Sequence, residues 1–364
     1  EDTGPQDADA DGDASDPGDA EPDGGDWQPL EGQWSRLSGP LPPQVSSFVQ
    51  HGDLLFMGTE FADIGDVFVS ENGGRSWTDT GLPNGGVATM LSHEGRLFVG
   101  TYLFGLYYSD DDGWTWTHTG APLSSATIEA LLPVDTDTII AGLDPFFATP
   151  LHRSDDGGVT WTPIESGPSL RTYDLESVDG VWLAAGEDAA VWRSADEGVT
   201  WTQSTAGLPE DADTFAFALE GTTVYLVAGT NITPLVVYRS DDLGITWTQV
   251  SDNLPPDAGR TAHFFDFIDG DLYLGSAGTS GTRGLYRSSD NGVTWTHLTG
   301  AAPDDPSVFA AIRVGGDLLV GSWGGVFRSR DDGTTWSPSS FGASGVGGAA
   351  ALLYAFDRLH VGLD

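Results

Sequence analysis

SDDGGVTW, residues 154–161, sets Ser154, Asp156, Gly158, Thr160 and Trp161 at a fixed spacing, and the chain then repeats it. SADEGVTW follows at 194, SDDLGITW at 240, SSDNGVTW at 288 and SRDDGTTW at 329; SDDDGWTW precedes it at 109 and a looser SENGGRSW at 70. The closing tryptophans, Trp77, Trp116, Trp161, Trp201, Trp247, Trp295 and Trp336, fall 39 to 48 residues apart, the length of one four-stranded propeller blade. Each repeat carries the same strand signals in the same order. In the second, VATMLSH alternates as an inner strand, GRLFVGT follows a turn, GLYYS is a third strand, and the octapeptide leads into a fourth. No stretch sustains a 3.6-residue apolar period, so almost no helix is expected.

The octapeptide has to reverse the chain between the third and fourth strands. The side chain at its third position (Asn72, Asp111, Asp156, Asp196, Asp242, Asp290, Asp331) can accept from backbone N–H groups of the turn. The glycine at the fifth position can take φ > 0, and the tryptophan can bury its ring between blades. These residues therefore read as structural, with no metal role for the carboxylates.

Composition bounds the rest. The chain has 364 residues, 39% of them hydrophobic, with 13 Trp, 17 Phe and 9 Tyr, enough for a packed core. It has 55 acidic residues against 14 basic ones, all Arg, and a formal charge of -41, which repels nucleic acid and anionic lipid. Cysteine is absent, removing disulfides and thiolate chemistry together. No apolar run reaches the roughly 18 residues that span a bilayer. Residues 1–26 contain no aromatic, branched aliphatic or basic residue and read as a disordered acidic tether; 27–364 read as the propeller.

Strand counting predicts an all-β single propeller of four-stranded antiparallel blades. Trp34 matches a fourth strand with no first three before it, and AALLYAFDRLHVGLD at the end supplies two strands without an octapeptide. Together they suggest an eighth blade closed by both termini, with seven as the alternative if a terminal segment lies outside the ring.

The motif S-x-D-x-G-x-T-W resembles the Asp-box, or BNR, repeat of sialidase-like propellers, over essentially the whole folded region. That resemblance implies the propeller fold. It implies little about activity, because sialidases, xyloglucanases, receptors and assembly factors share it. A sialidase needs three converging Arg, a Glu-activated Tyr and an acid; Arg171, Arg260 and Arg283 are the Arg placed on the variable face, with Tyr173 and the acids Asp174, Glu176 and Asp266 nearby. The Arg-Ile-Pro motif of the family is missing.

In each blade the octapeptide shares one side of the ring with the turn between the first two strands. The loops between second and third strands and the connections between blades share the other. That variable face carries Phe61, Tyr102, Phe104, Phe146, Phe147 and Trp323, aromatic residues suited to stacking on sugars or docking proteins. His263, on an inner strand, can face the channel. Glu129, Asp174 and Asp266 are candidate carboxylates for a hydrolase, but with 55 acids such pairs arise by chance. Arg153, Arg193, Arg239, Arg287 and Arg328 are expected to pair with acids of the next blade.

The reading that follows is a secreted or surface-tethered monomeric binding module, without cofactor, that recognises a glycan or a protein through the variable face. A glycoside hydrolase at the channel mouth, and a structural subunit of an envelope complex, are the alternatives. Convergence of Arg171, Tyr173, Asp174, Arg260 and His263 on one pocket would favour the enzyme.

Overall fold

The computed structural model describes residues 43–60, 66–83, 85–144, 149–187, 191–229, 234–251, 254, 261–277, 283–298, 307–322, 325–338 and 348–349, all within the unit Ser38–Asp364. They form seven antiparallel sheets and no helix. The innermost strands are Pro43–His51, Val87–His93, Ile128–Pro133, Thr172–Val178, Asp213–Glu220, Thr261–Ile268 and Val308–Val314, which define blades 1 to 7 in chain order.

The ring has seven blades, not eight. Each inner strand lies beside the next, and Val308–Val314 of blade 7 lies directly against Pro43–His51 of blade 1, leaving no gap for another sheet. Just before the C-terminal stretch counted toward an eighth blade, Gly348–Ala349 adds a short parallel strand to blade 1, beside Pro43 and Gln44. Trp34 and residues 350–364 lie outside the described residues, as does the acidic stretch 1–26.

There is no single central core, because a propeller buries the faces of its sheets against one another. One cluster joins blades 4 and 5 through Leu183, Val191, Phe217, Leu226 and Trp247; another joins blades 7 and 1 through Leu319, Val326, Phe48 and Trp77. Trp77 stacks on Phe48 at 5.9 Å and Trp247 on Phe217 at 6.4 Å. All the octapeptide tryptophans are buried except Trp116, which is half-buried.

The octapeptide turn closes through side-chain oxygens. In blade 3, Asp156 Oδ1 accepts from Ser154 Oγ (2.8 Å), Val159 N (3.1 Å) and Thr160 N (2.8 Å), and Oδ2 accepts from Thr160 Oγ1 (2.6 Å). Ser154 Oγ in turn accepts from Gly158 N at 2.8 Å, and the Trp161 ring N–H donates to Gly158 O at 3.1 Å. Gly158 has φ +82°, and a Cβ there would lie 2.4 Å from Phe98 of blade 2, so both conformation and space require glycine.

The third-strand arginines do not pair with acids of the next blade. Arg153 and Arg239 bind Asp155 and Asp241 two residues on, while Arg287 and Arg328 bind Asp271 and Asp317 of their own sheets. What reaches across is the rest of the guanidinium, which donates to a backbone carbonyl: Arg153 to Glu197, Arg193 to Leu243 and Arg328 to Gly73. Each acceptor is the fourth residue of the neighbouring octapeptide. That residue bends to positive φ (Glu197 57°, Leu243 57°, Gly73 67°).

Candidate functional site

Every inner strand contains one bulge at the same level, near the end where the chain enters from the preceding blade. The extra residues are Ser46, Ala88, Glu129, Tyr173, Phe215, His263 and Phe309. A bulge re-aims the side chain it carries. Here the bulged residues meet around the ring: Tyr173 stacks on Phe215 at 5.9 Å, and His263 meets the Phe309 ring edge-on at 4.8 Å. They form a collar at the variable end of the channel, small over blades 1 and 2 and bulky or charged over blades 3 to 7.

Arg171, the residue before the inner strand of blade 4, ties the charged part together. Its Nε and one terminal nitrogen each lie 2.6 Å from Glu129 Oε1, and Nε is 3.7 Å from Asp144 Oδ2. The guanidinium carbon stands 5.3 Å from the centre of the Tyr173 ring, and the Tyr173 hydroxyl donates to Glu187 Oε1 at 3.1 Å. Glu129 is fully buried, and its second oxygen, Oε2, makes no hydrogen bond among the described residues. Burial pushes the Glu129 carboxyl up to about 7, against the opposing pull of the Arg171 charge. Burial raises the Tyr173 hydroxyl as well, with the Glu187 charge adding to it.

His263 is held neutral. Burial, then the charge of Arg171, push its pKa down to about 3, and its Nε2 lies 3.0 Å from Thr261 Oγ1. Asp174 is committed elsewhere: it is buried on the inner strand of blade 4, where Oδ1 accepts from Leu175 N (2.8 Å) and Oδ2 from Phe217 N of blade 5 (2.7 Å). Glu176 and Asp266 likewise accept from the next amide of their own strands, Ser177 N and Phe267 N. Arg283 is half-buried, and its carbonyl lies 3.2 Å from His297 Nε2. Among the described residues no cluster of His, Asp and Glu is arranged to hold a metal ion.

Of the face aromatics, Tyr102 and Phe104 are described. Tyr102 is half-buried, its amide donating to Gly86 O at 2.9 Å; Phe104 packs onto the apolar cluster between blades 1 and 2. Phe61, Phe146, Phe147, Trp323 and Arg260 lie outside the described residues.

Asp144 and Glu187 escaped the reading of the sequence although a repeat-register signal marks them. The residue two positions after Gly58, Gly100, Gly142 and Ala185, at the end of each second strand, is Glu60, Tyr102, Asp144 and Glu187. The motif residues stay constant while this position changes, as expected of a site grafted onto a scaffold.

The Arg171 backbone is pinned by a glycine. Glu187 N donates to Arg171 O at 3.2 Å, and a Cβ on Gly186 would lie 2.1 Å from that oxygen. Gly186→Ala is expected to displace Arg171 and cost about 1–3 kcal/mol, read from urea unfolding. An unchanged midpoint would mean that the strand end yields without strain.

No protein-family model matches the chain, and no curated protein matches it. Solved structures do. The extracellular domain of a one-component system from B. thetaiotaomicron is similar with a TM-score of 0.63 at 13% identity, over 81% of this chain and 40% of that one. YCF48 from Cyanidioschyzon merolae is similar with a TM-score of 0.56 at 14% identity, over 79% of this chain and 95% of that one. The GH74 xyloglucanase from Xanthomonas campestris gives 0.51 at 16% identity, over 85% of this chain and 62% of the enzyme. This chain thus spans about two fifths of the first relative's length and three fifths of the xyloglucanase. At such identities the likeness is one of fold, and it places the chain among the β-propellers.

Proposed function

We propose that this chain is a non-catalytic binding module of the Asp-box propeller type, secreted or tethered at a surface through residues 1–26, recognising a glycan or a protein at the collar face. The observation that carries this reading is the commitment of the carboxylates. Glu129 is paired with Arg171, Glu187 accepts from Tyr173, and Asp174 is bound to two backbone amides. A hydrolase needs one carboxyl group to give a proton and a second to act as base or nucleophile. A binding site needs what the collar offers: a planar cation, a phenol hydroxyl and acceptors held in fixed positions.

A glycoside hydrolase is the second reading, favoured by the Tyr173–Glu187 hydrogen bond beside Arg171, which has the parts of a tyrosine nucleophile and its base. Its weakness is electrostatic. A nucleophilic tyrosine must lose its proton readily, and both burial and the Glu187 charge work against that here.

A glycan array and a displayed peptide library, probed with the full chain, test the proposal, with mass spectrometry of any bound glycan. Binding without cleavage is expected, weakened about tenfold by Tyr102→Ala as for an interface anchor. Cleavage of a bound glycan would overturn it.

A further inference from the structure

In blades 1 to 6 the sixth residue of the octapeptide has no side-chain part in the turn; only Thr334 of blade 7 does, donating its hydroxyl to Asp331 O at 2.9 Å. The N–H of the sixth residue donates to the Asp or Asn side chain at 3.1 Å in Arg75, Val159 and Ile245, which leaves the side chain directed away from the turn. In blades 2 to 6 that side chain is apolar and exposed: Trp114 59%, Val159 42%, Val199 71%, Ile245 51% and Val293 38%. These are five of the seven large exposed hydrophobic residues described in the whole chain. The fold does not demand them, because Arg75 and Thr334 occupy the same position, also exposed, in blades 1 and 7. Strand propensity does not explain them either, since Trp114 is the largest and is not β-branched.

Charge varies in step with this pattern. The octapeptides of blades 2 to 6 hold ten carboxylates and no basic residue, whereas those of blades 1 and 7, where the apolar residue is missing, contain Arg75 and Arg330. Two clefts open on the same side. One, of about 550 Å³ between blades 1 and 2, is lined by His51, Asp53, Leu54, Ser92 and Asp112, the last lying two residues from Trp114 on one turn. The other, of about 370 Å³, is lined by Arg239, Asp241, Asp242, Thr246, Thr248 and Val250, and in it Arg239 pairs with Asp241 at 2.7 Å. Each cleft combines carboxylates with an apolar wall.

We infer that the octapeptide face of blades 2 to 6 is a second docking surface, opposite the collar, for a cationic protein segment that also carries apolar side chains. Trp114 is its main anchor, and Asp53 with Asp112 receive a lysine or arginine beside it. A second copy of this chain would bring the same carboxylates against themselves, and an anionic lipid surface would be repelled. The apolar residues need a partner with apolar groups; Asp110, Asp155 and Asp241 already pair with Arg96, Arg153 and Arg239, and the acidic excess that remains favours a basic partner.

The test uses the full chain and two synthetic peptides of equal charge, one built from Leu and Lys and the other from Gln and Lys. At about 0.5 M NaCl, where exposed charges are screened, the Leu/Lys peptide is expected to bind at least about tenfold tighter. Trp114→Ser combined with Val199→Ser and Ile245→Ser should abolish that difference while leaving the melting temperature unchanged, because all three side chains are exposed. Amide exchange should show protection at residues 109–116 and 240–247. Equal binding of the two peptides, retention of the preference by the triple variant, or protection confined to the collar face would overturn the inference. Dimerisation that the triple variant abolishes would overturn it in favour of a second copy as occupant.

Discussion

Arg171→Met is expected to destabilise the protein by about 3–5 kcal/mol at pH 8 and by only about 1 kcal/mol at pH 5. The difference arises from Glu129, which has no solvent and one charged partner in contact. At pH 8 the wild-type carboxylate is ionised beside the guanidinium; removing Arg171 leaves a buried charge uncompensated. At pH 5, below the wild-type value of about 7, Glu129 is already protonated, and the substitution removes only a hydrogen bond and some packing. The sign follows from linkage. A carboxyl whose folded pKa is raised from 4.5 to about 7 contributes stability that is fully present below 4.5 and lost as pH rises through 7. Wild-type stability measured against Glu129→Gln should therefore fall by about 3 kcal/mol between pH 4.5 and 7. Urea unfolding of wild type and both variants at three pH values measures it. A pH-independent cost of Arg171→Met would show that Glu129 stays ionised throughout, and the collar would then hold its charge in acid.

That dependence bears on binding, because the collar gains a negative charge near neutral pH, beside Asp144, Glu187 and Asp213. Burial, followed by the Glu187 charge, already raises Asp213. On the proposed reading, ligand recognition at this face would be coupled to proton release from a group that the ligand need not touch.

The repeats were legible in the sequence because their chemistry is local. Ser154, Asp156, Gly158 and Thr160 satisfy one another within a single turn, so the pattern survives without reference to the rest of the chain. Blade number was not legible. It depends on how far the inner strands rotate from sheet to sheet, set by the side chains wedged between them, such as Phe48 and Trp77 against Leu319. Strand-like patterning at 350–364 says nothing about whether Val308–Val314 already lies against Pro43–His51, as it does. The collar was hidden for a related reason. A bulge shifts one residue out of alternation, so period-two reading puts Glu129 and Tyr173 on the wrong face. Arg171 and Tyr173 draw notice as residue types, but their partners Asp144 and Glu187 stand in loops of ordinary composition. Only superposing the repeats by their second-strand ends brings those two into one register.

Asp242→Ala is expected to cost about 2–3 kcal/mol at pH 7, whereas Asp242→Asn should cost well under about 1 kcal/mol. The chain contains its own control for the second substitution. Asp242 Oδ1 accepts from Ser240 Oγ (2.7 Å), Ile245 N (3.1 Å) and Thr246 N (2.8 Å), and Oδ2 accepts from Thr246 Oγ1 (2.6 Å). In blade 1 the same position is Asn72, whose Oδ1 accepts from Ser70 Oγ (3.0 Å), Arg75 N (3.1 Å) and Ser76 N (2.9 Å). There Nδ2 donates to Ser76 Oγ at 2.8 Å, so the fourth bond is kept with its direction reversed, which a rotatable hydroxyl allows. Alanine keeps none of the four. The carboxylate adds a dependence on acid that the amide lacks: burial opposes the charge, but the bonds from Thr246 and Ser240 outweigh it and hold Asp242 down to about 2. A depressed folded pKa gives stability that is present above about 4 and is lost as pH falls through 2. Asp111, Asp156, Asp196, Asp290 and Asp331 are lowered in the same way, so acid should weaken six turns together. Unfolding midpoints of wild type and Asp242→Asn should converge between pH 4 and pH 2, while Asp242→Ala stays below both until the carboxylates protonate. If the asparagine variant were as unstable as the alanine one at pH 7, the turn would depend on net charge and not on hydrogen-bond geometry, and Asn72 would mark blade 1 as the weakest sheet of the ring.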